Sequence, residues 1–343
     1  MRWFDKFGLA VALGAALAGC SGGSSSSTEG GTTGGPAPTG GGGQTYRIAV
    51  IPKGSTHEFW KSVHAGAEAA AKELGNIEVI WKGPDKEDNR DSQISTVQDF
   101  ISQKVNGIVL APLDDTALRQ PVTEAQTSGI PVLIIDSGLK DVETVSFVAT
   151  DNEKGGYMAG SELARLLNGK GKVVMLRYQV GSASTEQREA GFMRAMKENP
   201  GITVVSDNQY AGATVETAQK ASENLLAPLK GADGKLSIDG IYTPNESSTF
   251  GMLRTLQDNG WAGKVKFVGF DASAKLIEGL TKGEINGLIV QNPFNMGYLG
   301  VKTLVASLKK ETVEKRIDTG ATLVTKENMA QPDIEKLITA PKE

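Results

Sequence analysis

The strongest constraint in this chain is a repeated alternation. Short aliphatic and β-branched runs at residues 47–51, 78–81, 107–110 and 132–135 are separated by amphipathic stretches at 58–74, 92–103 and 115–128. The runs are apolar at nearly every position rather than at every second one. A strand buried on one face alternates in polarity; a strand covered on both faces does not, so these runs read as parallel strands between two helix layers. Parallel neighbours need long crossovers, and the amphipathic stretches have the length of crossover helices. The rhythm then restarts, with strands expected at 145–149, 172–176, 203–206, 240–242, 266–269 and 287–290. Helices are expected between them at 152–167, 185–198, 215–226, 247–259 and 272–280. A further helix at 294–308 and a strand at 321–324 close the series. The pattern predicts an α/β protein of two doubly wound parallel-sheet lobes. No Gly/Ser-rich linker divides the halves, so short crossing segments must join them.

The 343 residues carry a net charge of −4, which gives no basic face for a nucleic acid. One cysteine excludes a disulfide framework, a cysteine-rich zinc site and a CxxC redox pair. His57 and His64 would share a helix face, but with no carboxylate or cysteine ligand beside them no metal is expected, and no cofactor motif is present. Glycine is over-represented, at 42 residues, and the N-terminus accounts for much of this.

Residues 1–20 have a basic start (Arg2, Lys6), an apolar run at 7–17 and the sequence Leu17-Ala18-Gly19-Cys20. The run is too short for the ~20 residues of a membrane-spanning helix and fits a signal peptide. Its end resembles the lipobox of bacterial lipoproteins, which implies lipidation at Cys20, the only cysteine. In the following segment, 21–45, 19 of the residues from Ser21 to Gln44 are Gly, Ser or Thr. Such a composition has almost nothing to bury and reads as a disordered tether.

Open α/β sheets bind ligands beyond the carboxyl ends of their strands. The residues falling there are Lys53, His57, Phe59 and Trp60, then Asp136 and Ser137, and in the second half Arg188, Asn245, Phe270, Asp271 and Gln291. Aromatic faces beside paired acceptors and forked donors suit a sugar, which offers C–H faces to stack and vicinal hydroxyls to bond. Two carboxylates against two cations favour an uncharged polyol over a phosphate. Each residue also has a plainer reading. Phe59 and Trp60 can be core aromatics, Ser55 and Thr56 N-caps of the first helix, Arg188 a solvated charge and Asp271 the cap of a helix starting near Ala272.

In order and spacing, IAVIPKGSTHEFW (48–60), GIVLAPLD (107–114), GIPVLIIDS (129–137), VATDNEKGG (148–156), EQREAGF (186–192), IYTPNESSTFG (241–251), VGFDAS (268–273) and GLIVQNP (287–293) resemble the ribose/galactose type of periplasmic sugar-binding protein. These proteins serve ABC importers and share a fold with lac-repressor-like regulators. The resemblance spans residues 46–343. It implies a first lobe of 46–150 plus 292–319 and a second of 151–291 plus 320–343. Hinge crossings would lie at Thr150-Asp151, Gln291-Asn292 and Thr319-Gly320. It implies ligand-stacking aromatics at Phe59, Trp60 and Phe270, and hydroxyl ligands at Asp136, Arg188, Asn245, Asp271 and Gln291.

The chain departs from the ribose-binding pattern at His57 and Glu58, at Ser137 where an arginine is usual, and at Ala213 where an aromatic often closes the pocket. Lys53 can partly replace the missing cation. These departures point away from ribose toward a hexose, another pentose or a polyol. The expected protein is a monomer on the extracytoplasmic face of the cell envelope, anchored to the membrane by lipid, delivering sugar to the permease and ATPase of an ABC importer. The alternatives are a sensory lipoprotein signalling without transport, and a glycoside-processing enzyme using Asp136 and Asp271 as its carboxylate pair. A repressor of the same fold would need a helix-turn-helix where the signal and tether lie.

Overall fold

The computed structural model describes residues 45–339 and 341. Residues 1–44, with the expected signal peptide, Cys20 and most of the tether, lie outside the described residues. The chain begins with β1 (Tyr46–Ile51), α1 (Glu58–Leu74), β2 (Ile77–Trp81), α2 (Arg90–Ser102), β3 (Gly107–Leu110), α3 (Arg119–Thr127), β4 (Val132–Ile135) and β5 (Phe147–Ala149). It continues through α4 (Asn152–Leu166), β6 (Gly171–Arg177), α5 (Ala183–Lys197), β7 (Ile202–Tyr210), α6 (Val215–Leu226), β8 (Gly240–Tyr242), α7 (Glu246–Asp258), β9 (Lys266–Phe270), α8 (Ala274–Lys282) and β10 (Gly287–Gln291). The last elements are α9 (Pro293–Leu308), β11 (Arg316–Asp318), β12 (Ala321–Val324) and α10 (Pro332–Ile338).

Two six-stranded sheets result, ordered β11-β5-β4-β3-β1-β2 and β12-β10-β9-β8-β6-β7. The pairings are parallel except for β12, which runs antiparallel to β10. The chain passes between the sheets after β5, after β10 and after β11. The register explains why the strands read as continuous apolar runs. Along β1, Ile48 and Val50 pack with Val63 and Ala67 of α1 and Val301 and Leu304 of α9, while Ala49 and Ile51 pack with Val97 and Phe100 of α2 and Val122 of α3. In the second sheet, Val174 and Leu176 of β6 join the α6–α7 cluster, and Val173 and Met175 join that of α4 and α5.

The lobes repeat one another down to the helix crossings. A Cβ on Gly66 or Gly297 would overlap the facing backbone of α9 or α1, at Phe294 and Val63. In the second lobe a Cβ on Gly156 or Gly191 would overlap the backbone carbonyls of Arg188 and Glu153. Only glycine permits these contacts, which bring the backbones of α1 and α9, and of α4 and α5, into close approach. Two short elements, β11 and α10, have no counterpart in the sequence-based expectation. β11 is three residues of mixed polarity, and α10 is one amphipathic turn pair whose Ile334 and Ile338 cover the second lobe's core.

Candidate functional site between the lobes

The site is built on equivalent positions in the two sheets. Asp136 directly follows β4 and Asp271 directly follows β9, and these strands are third in their sheets from the matching ends. Each aspartate donates its backbone N–H across to the next strand, to the Val148 carbonyl of β5 at 3.1 Å and the Ile289 carbonyl of β10 at 2.9 Å. Both adopt left-handed backbone conformations, with φ of 61° and 71°. Such angles are uncommon outside glycine, though aspartate tolerates them better than most residues, and at strand ends they turn the side chain into the cleft.

Asp136 is buried, and its Oδ2 lies 3.2 Å from Lys53 Nζ, a residue held just beyond β1. Lys53 also donates across the cleft to Ser182 Oγ at 3.2 Å and Ser184 Oγ at 3.1 Å at the start of α5. Asp271 accepts from Gln291 Nε2 at 2.8 Å and from the backbone N–H of Glu246 at 2.9 Å. Burial pushes its carboxyl above the ordinary range, opposed by the charge of Arg188. The oxygen of the Gln291 amide, Oε1, is buried with no hydrogen-bond partner.

Arg188 is 2 % exposed and clamped within its own lobe, not solvated. Its Nε donates to Asn152 Oδ1 at 2.8 Å, one Nη donates to the Pro244 carbonyl at 2.9 Å, and its guanidinium lies 4.1 Å from the Phe270 ring centre. Phe270 itself is fully buried beneath it and does not line the cavity, because β9 ends there with the ring turned into the core. Ser137 is likewise buried away from the cavity; its hydroxyl accepts from the Ser184 backbone N–H at 3.1 Å, tying the lobes together. Asn245 lines the cavity and also caps α7, accepting from Ser248 N at 3.2 Å.

Neither Ser55 nor Thr56 caps α1: the N-cap is His57, which makes no side-chain cap bond because its ring points to Glu87. Asp271 does not cap the helix after it, since α8 starts later, with Ser273 as N-cap. His64 stacks on Trp81 with ring centres 4.4 Å apart.

Five further residues line the cavity that sequence reasoning passed over: Glu87, Tyr178, Ser184, Thr185 and Glu246. Glu87 organises one wall. Its Oε1 accepts from Trp60 Nε1 at 2.6 Å and from His57 Nδ1 at 2.8 Å, and its Oε2 accepts from the Tyr178 hydroxyl of the opposite lobe at 2.5 Å. Burial works against both charges of this pair, and their mutual attraction overcomes it. His57 is pushed up to about 9, and the Glu87 carboxyl is held down to about 2. Tyr178 was legible, being the first residue after β6, but Glu87 lies in the loop beyond β2, several residues past its strand.

The cavity measures about 30 Å³, room for one or two waters. Some of its polar groups pair across the lobes, Lys53 with Ser182 and Ser184 and Glu87 with Tyr178, so a larger guest enters only as the lobes part and those pairs exchange partners. The chemistry offered is that of donors and acceptors at close quarters beside the Phe59 and Trp60 rings, which meet edge-on at 4.9 Å. No group of metal-ligating side chains occurs among the described residues, and none of their helices is long and apolar enough to cross a membrane.

Residues 48–312 match the model of the periplasmic binding protein domain. A ribose import binding protein of Haemophilus influenzae is 28% identical over 270 residues, 79% of this chain and 88% of its own. The D-allose-binding periplasmic protein of Escherichia coli is 27% identical over 274 residues, 77% of this chain and 85% of its own. Among solved structures, a carbohydrate transporter solute-binding protein from Agrobacterium radiobacter in complex with D-arabinose superposes with a TM-score of 0.81 at 37% identity, covering 86% of this chain and 99% of that one. An ABC transporter solute-binding protein from Agrobacterium vitis with bound D-fucose gives 0.80 at 33% identity, covering 85% and 99%.

Proposed function

The chain belongs to the periplasmic binding protein domain family, and on that premise we propose that it is the sugar-binding component of an ABC importer. The observation that carries this reading is the interlobe cavity itself. Asp136 and Lys53 of one lobe face Arg188, Asn245, Asp271 and Gln291 of the other, with Phe59 and Trp60 beside them. Hydroxyls of a neutral pentose, hexose or polyol replace cross-lobe pairs such as those of Lys53 with Ser182 and Ser184 and of Glu87 with Tyr178, and the aromatic faces take the ring carbons. The open Oε1 of Gln291 accepts one hydroxyl. The cavity's His57–Glu87 and Lys53–Asp136 pairs offset each other's charge, which favours uncharged guests.

Binding rather than turnover fits these groups. The family and the relatives that the chain matches are those of binding proteins. Closure follows the differential affinity of the sugar for closed over open lobes, and the hinge segments are Thr150-Asp151, Gln291-Asn292 and Thr319-Gly320. The crossings are braced by Thr150 Oγ1 donating to the Gly320 carbonyl and by Thr319 N donating to that of Ala149. The protein works as a monomer outside the cytoplasm, tethered by lipid at Cys20, and mass analysis of the mature N-terminal residue decides that point.

The deciding experiment is a thermal-shift panel of pentoses, hexoses and polyols. A ligand of the native state raises the melting temperature, by about 2.7 kcal/mol of added stability at a hundredfold excess over Kd. One or more neutral sugars should do so while sugar phosphates and uronates do not. A flat panel rejects the sugar reading.

A further inference from the structure

Two helices on opposite sides of the cleft lack a side-chain cap of their own. The N-cap of α1, His57, makes no side-chain cap bond, and neither does Ser273 at the N-cap of α8. Each helix N-terminus is instead closed by a glutamate from the other lobe. Glu246 of α7 accepts from the backbone N–H groups of Glu58 at 3.3 Å and Phe59 at 3.1 Å in α1. Glu58, in turn, accepts from the backbone N–H of Ala274, the first residue of α8, at 3.1 Å. The exchange is reciprocal: the residue whose N–H is capped by Glu246 is the residue whose carboxylate caps α8.

We propose that Glu58 and Glu246 form a two-way latch that holds the lobes together in the absence of sugar and so sets how much of the binding energy remains for affinity. This deepens the binding role proposed above and rests on it for its consequence, whereas the latch itself stands on backbone geometry alone. A carboxylate on the first N–H groups of a helix, at its positive end, makes strong hydrogen bonds, and here all three bonds vanish as soon as the lobes separate. Their loss leaves two helix ends uncapped in the open form, a cost that a helix with its own Ser or Asp cap would not meet.

The latch also communicates with the cavity. Asp271 accepts from the backbone N–H of Glu246, and Glu246 itself lines the cavity wall, so a hydroxyl that engages Asp271 bears on the residue that closes α1. The opposite side of the seam carries its own backbone bond, Asp115 N to the Gly181 carbonyl at 2.9 Å, so the latch edge can loosen while that edge still registers the lobes.

Small-angle X-ray scattering on the sugar-free protein tests this directly. The wild type should scatter as the closed form. Glu58→Ala and Glu246→Ala should each shift the closed-to-open ratio toward open by about tenfold or more, raising the radius of gyration. Glu246→Gln, which keeps a carbonyl acceptor of the same shape, should restore most of the compaction, a rescue that a mere packing role would not give. Melting curves confirm that each variant folds. A wild type that is already open without sugar, or alanine variants as compact as the wild type, overturns the latch. A protein that responds to the latch substitutions but to no sugar in the thermal panel retains the latch and loses the sugar reading.

Discussion

Asp136 and Asp271 do at residue scale what the repeated fold does at large. Each closes a central strand, adopts a left-handed backbone and pairs with a basic or amide group of its own lobe, Asp136 with Lys53 and Asp271 with Gln291. Asp271→Asn retains a residue that tolerates positive φ and an oxygen for Glu246 N, but replaces one acceptor with a donor facing Gln291. It is expected to weaken sugar binding by ~10–100-fold in titration calorimetry, because the buried hydroxyls it serves lose their acceptor. Unchanged affinity would remove Asp271 from the site.

The His57–Glu87 pair makes a second residue-scale prediction. His57 is raised from 6.5 to about 9, so its stabilisation is complete below 6.5 and is lost as the pH rises through 9. Glu87 is lowered from 4.5 to about 2, so its share is complete above 4.5 and is lost as the pH falls through 2. The melting-temperature gap between wild type and His57→Gln should therefore be widest near pH 4.5–6.5 and shrink toward pH 9. Each kcal/mol of that gap is worth roughly 2–4 °C in a chain of this size. A gap that stays constant over this range would mean that the pair does not titrate as described. These roles were hidden in the sequence for a simple reason: a carboxylate in the loop after β2 has no fixed offset from its strand, and only the folded chain brings Glu87 beside Trp60, His57 and Tyr178.

At the scale of elements, the helix crossings place the chemistry. The backbone of Arg188 rests on Gly156, so the guanidinium's position follows from how closely α4 and α5 approach. Gly156→Ala should cost about 1–3 kcal/mol by overpacking and, by pushing Arg188 off Asn152 and Phe270, also weaken sugar binding. Denaturant unfolding and calorimetry on the same variant separate the two losses. An alanine that lowers stability and leaves affinity intact would detach Arg188 from ligand binding. Most elements were legible because both faces of each central strand are covered, which makes the runs uniformly apolar. β7 is longer than expected, reaching Tyr210, because as an edge strand it carries exposed polar residues that carry no burial signal. The capping of α1 was misread in the sequence: Ser55 and Thr56 have the right chemistry for a local cap, but the cap arrives from the other lobe.

For the whole molecule, the interlobe contacts weigh against binding as well as for it. Lys53, Ser182, Ser184, Glu87 and Tyr178 already satisfy one another across the cleft, so a sugar gains only the difference between its hydroxyl contacts and those it displaces. A neutral guest that engages Asp136, Asp271 and Gln291 together gains most, because Gln291 Oε1 has no partner to give up. The latch of Glu58 and Glu246 sets the starting point of that exchange.

The α/β class, the two lobes, nearly every strand and helix, and the band of residues at strand ends from which a site could be drawn can all be read along the chain. These follow from local periodicity and burial, which are written along the chain. Folding alone settles which of those residues face the cavity: Phe270 and Ser137 do not, Glu87 and Tyr178 do, and two helices are capped from the opposite lobe. Such contacts join residues up to 216 positions apart, and no local pattern encodes which carboxylate meets which helix end once the lobes meet.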